Sequence, residues 1–259
     1  MHTNPAVPDL LRLIDDRSAA FRAAIAAAPG PDATVPGCPE WTLFDLAQHP
    51  GGGDRFWAAI AAAGPADAPP AEAVAARAAL AVPRERDALT AWPAASTQQL
   101  LDALRESGAG AGCWTWWPGS QSPQNAGAVA RHRVQESAVH TYDAQLTTGN
   151  AESIPQEAAL DGAEEFLLTC CATATPWPHA PAVVDCHATE GRSWRLHLGP
   201  DGARAERLTV PAATPADASA RAGAAELVLF YYGRLPLETF PVEGDREVLQ
   251  QLIDWDPAA

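Results

Sequence analysis

The apolar residues of this 259-residue chain change their period near residue 150, which limits the fold to two unlike halves. In the first half they recur at helical steps. Leu10, Leu11, Ile14, Phe21 and Ile25 fall mostly three or four apart between Pro8 and Ala28, and Pro29-Gly30 stops the run. Thr42 reads as the N-cap of a second helix, with Asp45 three residues on, close to a capping box. Leu43, Leu46 and Ala47 are its inner face. Pro50-Gly51-Gly52-Gly53 is expected to break or kink it before Asp54 to Ala63 resumes as helix. Gly64 to Pro83 reads as a connection with a short helical piece. Ser96 to Ser107 reads as a third helix capped by Ser96, and Gly108 to Gln124 as a loop holding Trp114, Trp116 and Trp117. Asn125 to Leu146 is a long fourth helix, ended by Thr147, Thr148 and Gly149. Four helices with a long link between the second and third imply a bundle with a crossover.

The second half alternates. Gln156 to Cys171 is helical, but Ala182 to Ala188 and Ser193 to Leu198 read as strands, the latter with Trp194, Leu196 and Leu198 on one face. Arg204 to Val210 reads as a third strand, Asp217 to Tyr232 as a helix and Asp245 to Ile253 as another. The expected fold class is α+β: a four-helix bundle over residues 1–150 and a smaller α+β domain over 151–259.

Charge narrows the partners. With 32 acidic and 17 basic residues the net charge is −15, which opposes sequence-independent nucleic-acid binding and docking on an anionic membrane. All the basic residues are Arg, so covalent lysine catalysis is excluded. Cys38, Cys113, Cys170, Cys171 and Cys186 show no C-x-x-C spacing and read as reduced thiols. Met1 to Leu13 lacks a signal-peptide pattern, and no 18-residue apolar run exists. The expectation is a soluble cytoplasmic protein, monomer or weak homodimer, whose partners are small molecules.

The chemistry concentrates on the fourth helix. Glu136 and His140 stand four apart, on one helix face with Cβ atoms about 5–6 Å apart, so a carboxylate and an imidazole can converge on one cation. His49, at the end of the second helix, can supply a third ligand, completing the donor set of a zinc site with one open position. Spacing alone fits a solvated surface pair as well. His132 lies on the same stripe as a rival ligand, although a partly exposed polar role suits it better.

Three segments resemble the mycothiol-dependent maleylpyruvate isomerase family, whose N-terminal bundle belongs to the DinB-like superfamily. The first runs Val35-Pro36-Gly37-Cys38-Pro39-Glu40-Trp41-Thr42, then Asp45, Leu46 and His49. The second runs from Arg131 through Glu136, Val139 and His140 to Asp143. The third, looser, runs from Ala225 to Gly233-Arg234 and Pro236, with Gly244-Asp245 following. The resemblance implies a divalent metal, zinc by preference, at His49, Glu136 and His140. It implies mycothiol as cofactor or co-substrate, and Arg234 as a catalytic residue reaching the active site from the second domain. The chain departs from the family's pattern at Pro50 to Asp54, where the family carries a smoother helical run, often with a histidine near position 54. A widened or mobile site is expected there.

Several other residues have two readings each. Asp143 suits a partner for the His140 ring or a surface acid, and Asp45 a cap or such a partner. Cys38 reads as a packed residue in a tight turn rather than as a nucleophile, and Trp114, Trp116 and Trp117 as core or as a pocket lid. The implied function is isomerisation or S-transfer on a small electrophilic substrate by a metal-held thiol. A zinc hydrolase, or a non-catalytic binding protein on the same bundle, remains the alternative.

Overall fold

The computed structural model describes residues 4–78, 84–209 and 214–256. The far end of the 64–83 connection, the end of the expected strand at Val210 and both termini lie outside the described residues. The chain divides into two compact units, residues 1–116 with 124–154, and residues 117–123 with 155–259. The architecture is α+β.

In the first unit, α1 (Val7–Ala27), α2 (Leu43–Ala63), α4 (Arg86–Ser107) and α5 (Ala126–Leu146) form the bundle, and α3 (Ala71–Ala78) is the short piece between α2 and α4. α1 packs on α4 and α5, and α2 packs chiefly on α4. The core joins Phe21 and Ile25 of α1, Leu43, Leu46 and Ala47 of α2, Leu89 of α4 and Ala144 of α5. A hairpin of β1 (Thr34–Val35) and β2 (Cys38–Thr42) leads into α2. Thr42 and Asp45 close a reciprocal capping box: Asp45 N donates to Thr42 Oγ1 at 3.3 Å and Thr42 N to Asp45 Oδ2 at 2.9 Å. Asn125 caps α5, its Oδ1 accepting from Ala128 N at 2.9 Å.

Two helix expectations are corrected here. α4 begins at Arg86, so Ser96 is mid-helix and not a cap; its hydroxyl donates back to Trp92 O at 2.9 Å. And α2 runs unbroken through Pro50-Gly51-Gly52-Gly53. Packing explains why. A Cβ on Gly51 would stand 2.0 Å from the Trp92 ring, and one on Gly53 3.1 Å from the Arg133 guanidinium. The glycines give room for a neighbouring indole and a buried cation, and those contacts keep helical a stretch that propensity alone would break. Gly51→Ala therefore tests the packing against the propensity. An exposed helical Gly→Ala gains roughly 1 kcal/mol; here overpacking is expected to reverse the sign and cost about 1–3 kcal/mol, read by urea unfolding.

The second unit begins with α6 (Gln156–Phe166), followed by a π-helical turn, Leu167–Cys171. β3 (Ala182–Ala188), β4 (Ser193–Gly199), β5 (Gly202–Arg207), β6 (Ala218–Ala222) and β7 (Val242–Gly244) form one sheet in the order β5-β4-β3-β6-β7. β3 and β6 are parallel; the other pairs are antiparallel. α7 (Ala224–Tyr231) packs on α6, and α8 (Arg246–Asp254) contacts β3 and β6. Trp194, Leu196 and Leu198 are buried together, as their alternation requires.

The expected helix from Asp217 to Tyr232 is corrected to a strand followed by a helix. In β6 the buried positions are Ala218, Ala220 and Ala222, a period of two written in alanine, which has high helix propensity and hides the alternation. Gly223 then opens α7, its N–H donating to Glu226 Oε2 at 2.7 Å.

Candidate metal centre

Three side chains from two helices meet inside the first unit. His49 lies in the second turn of α2, Glu136 and His140 one turn apart on α5, and one ligand atom from each falls within 4.8 Å of the others. His49 Nε2 is 3.7 Å and His140 Nε2 3.5 Å from Glu136 Oε2. Both distances are too long for good hydrogen bonds. They suit donors around a small cation: two ligands at about 2.0–2.1 Å in tetrahedral array stand roughly 3.4 Å apart. The donor chemistry, two imidazoles and a carboxylate, fits a divalent ion of the zinc kind. The other site histidine candidate, His132, is buried against the rings of Trp57 and Trp116 at 6.2 and 5.8 Å and stands outside this group.

Neighbouring groups hold these three side chains in place. Asp143 is fully buried, and its Oδ2 is 3.2 Å from His140 Nδ1, an acceptor that holds a proton on Nδ1 and leaves Nε2 as the ring nitrogen facing Glu136. Asp45 belongs to the α2 cap, whose hydrogen bonds from Thr42 lower its carboxyl from the usual value. The Cys38 thiol, half-buried, is 3.9 Å from Asp143 Oδ2, beside the site's supporting carboxylate. Trp41 of β2 walls the site, its ring 4.9 Å from that of His49 and 6.3 Å from that of His140.

Sequence reasoning missed a buried ion pair behind the ligands. Arg133 is 2% exposed and Asp54 3%. Arg133 donates to Asp54 Oδ1 from Nε at 3.1 Å and Nη2 at 2.9 Å, and to Pro50 O at 3.3 Å. Its Nη1 is 3.5 Å from Glu136 Oε2. Thr97 Oγ1 donates to Asp54 Oδ2 at 2.7 Å and pairs with Ser18 Oγ at 2.9 Å. The signal available was the i, i+3 step from Arg133 to Glu136, which puts both on one helix face.

The electrostatics follow from this crowding. Burial alone would raise Glu136, but the contacts with His140, His49 and Arg133 outweigh it and hold the carboxyl well below its usual value. Burial pulls His140 down, yet Asp143 and Glu136 together leave it raised. Burial lowers His49, against the pull of Glu136. Burial pushes the Asp54 carboxyl up, against the pull of Arg133 and Thr97. A negative carboxylate between two imidazoles, one of them oriented by a buried carboxylate on its other nitrogen, is an arrangement that accepts a cation.

The tryptophans of the 108–124 loop part ways. Trp114 packs beside Phe56 and Trp57, Trp116 is exposed, and Trp117 lies in the segment that belongs to the second unit. In the second unit Gly233, at φ 71°, ends α7 as expected, with Arg234 N donating to Leu229 O at 2.7 Å. The Arg234 guanidinium donates to Tyr232 O at 2.6 Å. No helix among the described residues is long and apolar enough to cross a membrane.

Comparison with known proteins follows the same division. A family model described as the mycothiol maleylpyruvate isomerase N-terminal domain matches residues 11–145, and the C-terminal domain model of that family matches residues 157–251. Among solved structures, a crystal structure titled as the mycothiol-dependent maleylpyruvate isomerase is similar at a TM-score of 0.57 and 14% identity, covering 90% of this chain and 93% of the other. A mutant of that isomerase is similar at 0.59 and 13%, covering 93% and 96%. Identities this low show the shared fold alone. No curated protein matches.

Proposed function

Because this chain belongs to the mycothiol maleylpyruvate isomerase family, we propose that it is a cytoplasmic isomerase that uses zinc and mycothiol on a small, electrophilic, carboxylate-bearing cis alkene. The single observation behind this reading is the convergence of His49, Glu136 and His140, whose ligand atoms lie within 4.8 Å of one another. A bound zinc ion stabilises a thiolate, and reversible addition of a thiolate to a cis alkene frees the bond to rotate and return as trans.

The chain's own residues have separable tasks in this reading. Asp143 fixes the His140 tautomer, so that Nε2 presents a lone pair. Arg133 holds the Glu136 carboxylate from behind, and Asp54 neutralises the guanidinium. Trp41 excludes water from one side of the imidazoles. Arg234 takes a substrate carboxylate; its fixed turn and planar, permanently charged fork suit one. A hydrolase would need a base beyond the three ligands. Among the described residues near them, Asp54 is engaged by Arg133 and Thr97, and Asp143 by His140.

The test is conversion of maleylpyruvate to its trans isomer by the zinc-loaded protein with mycothiol. Turnover that needs both is expected, and turnover indifferent to mycothiol would overturn the proposal. Arg234→Lys is expected to cut kcat/KM about tenfold or more, the size of a lost charge-assisted contact, with zinc content and melting temperature unchanged. A lowered melting temperature with kcat/KM per folded molecule intact would make Arg234 structural.

A further inference from the structure

A second concave site lies wholly within the second unit, and it has a different chemistry. α6 with its π-helical turn, β3, α7 and α8 line a pocket of about 400 Å³, open to solvent at Ile253. Small-molecule sites span about 300–1,000 Å³. Its walls are aromatic and aliphatic: Phe166, Phe230, Tyr231, Trp255, Leu249 and Leu252. None of the described residues lining it is Asp, Glu, His or Arg. A carboxylate substrate or a charged thiol therefore has no counter-charge there.

Among the polar groups along it, the Tyr231 hydroxyl indicates what the pocket takes. The Tyr231 hydroxyl is buried and, although it lies against the Cys186 thiol, makes no hydrogen bond of good geometry. A buried hydroxyl without a partner costs about 1–3 kcal/mol, so an acceptor brought in by a ligand would recover that loss. The Tyr231 ring is held flat against Phe166, centroids 5.1 Å apart and planes 13° off parallel, which provides a surface for a planar molecule. The Cys171 and Cys186 thiols that line it are not poised as nucleophiles. Burial pushes Cys186 up to about 11 and Cys171 up to about 12, so both are protonated at neutral pH and present soft, apolar surface.

We propose that this cavity binds a small, uncharged, planar apolar molecule carrying one hydrogen-bond acceptor, with the acceptor met by the Tyr231 hydroxyl. The site is independent of the metal centre and of the isomerase reading.

The uncharged naphthyl ketone prodan, whose emission shifts to the blue in apolar surroundings, serves as the probe with the full-length protein. Saturable binding of one prodan per chain is expected. Leu252→Trp, which fills the cavity, is expected to abolish it. Tyr231→Phe is expected to weaken prodan about 3–10-fold, the range of one hydrogen bond, without lowering the melting temperature, since it removes an unsatisfied hydroxyl. Naphthalene, which has no acceptor, should compete equally well in wild type and Tyr231→Phe. Unsaturable prodan binding, binding that survives Leu252→Trp, or a Tyr231→Phe loss shared equally by prodan and naphthalene would overturn the proposal.

Discussion

Arg133→Met is expected to destabilise the protein by about 3–5 kcal/mol, the cost of breaking a buried ion pair from one side. Methionine fills the volume but leaves the Asp54 carboxylate, 3% exposed, without its cation. Burial already pushes that carboxyl up, and without Arg133 it would take a proton. The same variant frees the back of Glu136, which Arg133 approaches to 3.5 Å, and is expected to weaken metal binding about 10–100-fold, as loss of a supporting contact commonly does. The double variant Arg133→Met, Asp54→Leu separates the two effects. Replacing both members by apolar groups should restore much of the stability without restoring metal affinity. Urea unfolding and competitive metal titration measure each. Restored stability and affinity together would mean that Arg133 positions nothing.

His140→Ala has the larger effect on the metal. It deletes a ligand outright and is expected to exceed the roughly 10–100-fold loss of a supporting residue such as Asp143→Asn. The same side chain gives a pH signature. His140 is raised in the folded, metal-free protein by Asp143 and Glu136, against the opposing effect of burial. Its contribution to stability is present below the unfolded histidine value, about 6.5, and is lost as pH rises through the folded value. Glu136 is depressed, so its contribution is present above the unfolded value, about 4.3, and is lost as pH falls through the folded one. A metal must displace the proton from His140, so its affinity rises with pH across the same range. In chelator, the melting temperature is expected to fall as pH rises above about 6.5; in excess zinc it is expected to rise. His140→Ala should lose both trends.

How much of this was readable depends on which interaction decided each element. The convergence of His49, Glu136 and His140 was readable because a helix fixes the geometry of an i, i+4 pair, and His49 lay in a capped helix that could be placed from Thr42 and Asp45. The α4 start was misplaced because Ser96 has the identity of a cap; its real partner, the Trp92 carbonyl, is visible only once the helix exists. β6 was taken for helix because alanine carries the buried face. Pro50 to Gly53 defeated local reasoning for a tertiary cause: the glycines answer to Trp92 and Arg133, 41 and 80 residues away. The Arg133–Asp54 pair was invisible for a related reason. An arginine on a helix is ordinarily solvated, and only the packing of α2 against α5 shows that this one is enclosed.

In the proposed function a thiol sulfur binds a metal held by His49, Glu136 and His140. Cobalt-substituted protein tests it most directly, because a thiolate on cobalt(II) produces a charge-transfer band. Cys38 lies 3.9 Å from Asp143, so the measurement belongs in a Cys38→Ser background, where a thiol of the chain beside the site cannot imitate the ligand. Mycothiol titrated into that protein is expected to raise the band to saturation at one equivalent per chain, with no band in His49→Ala, His140→Ala. A protein that holds one cobalt per chain through those three residues and shows no band with saturating mycothiol would contradict the account.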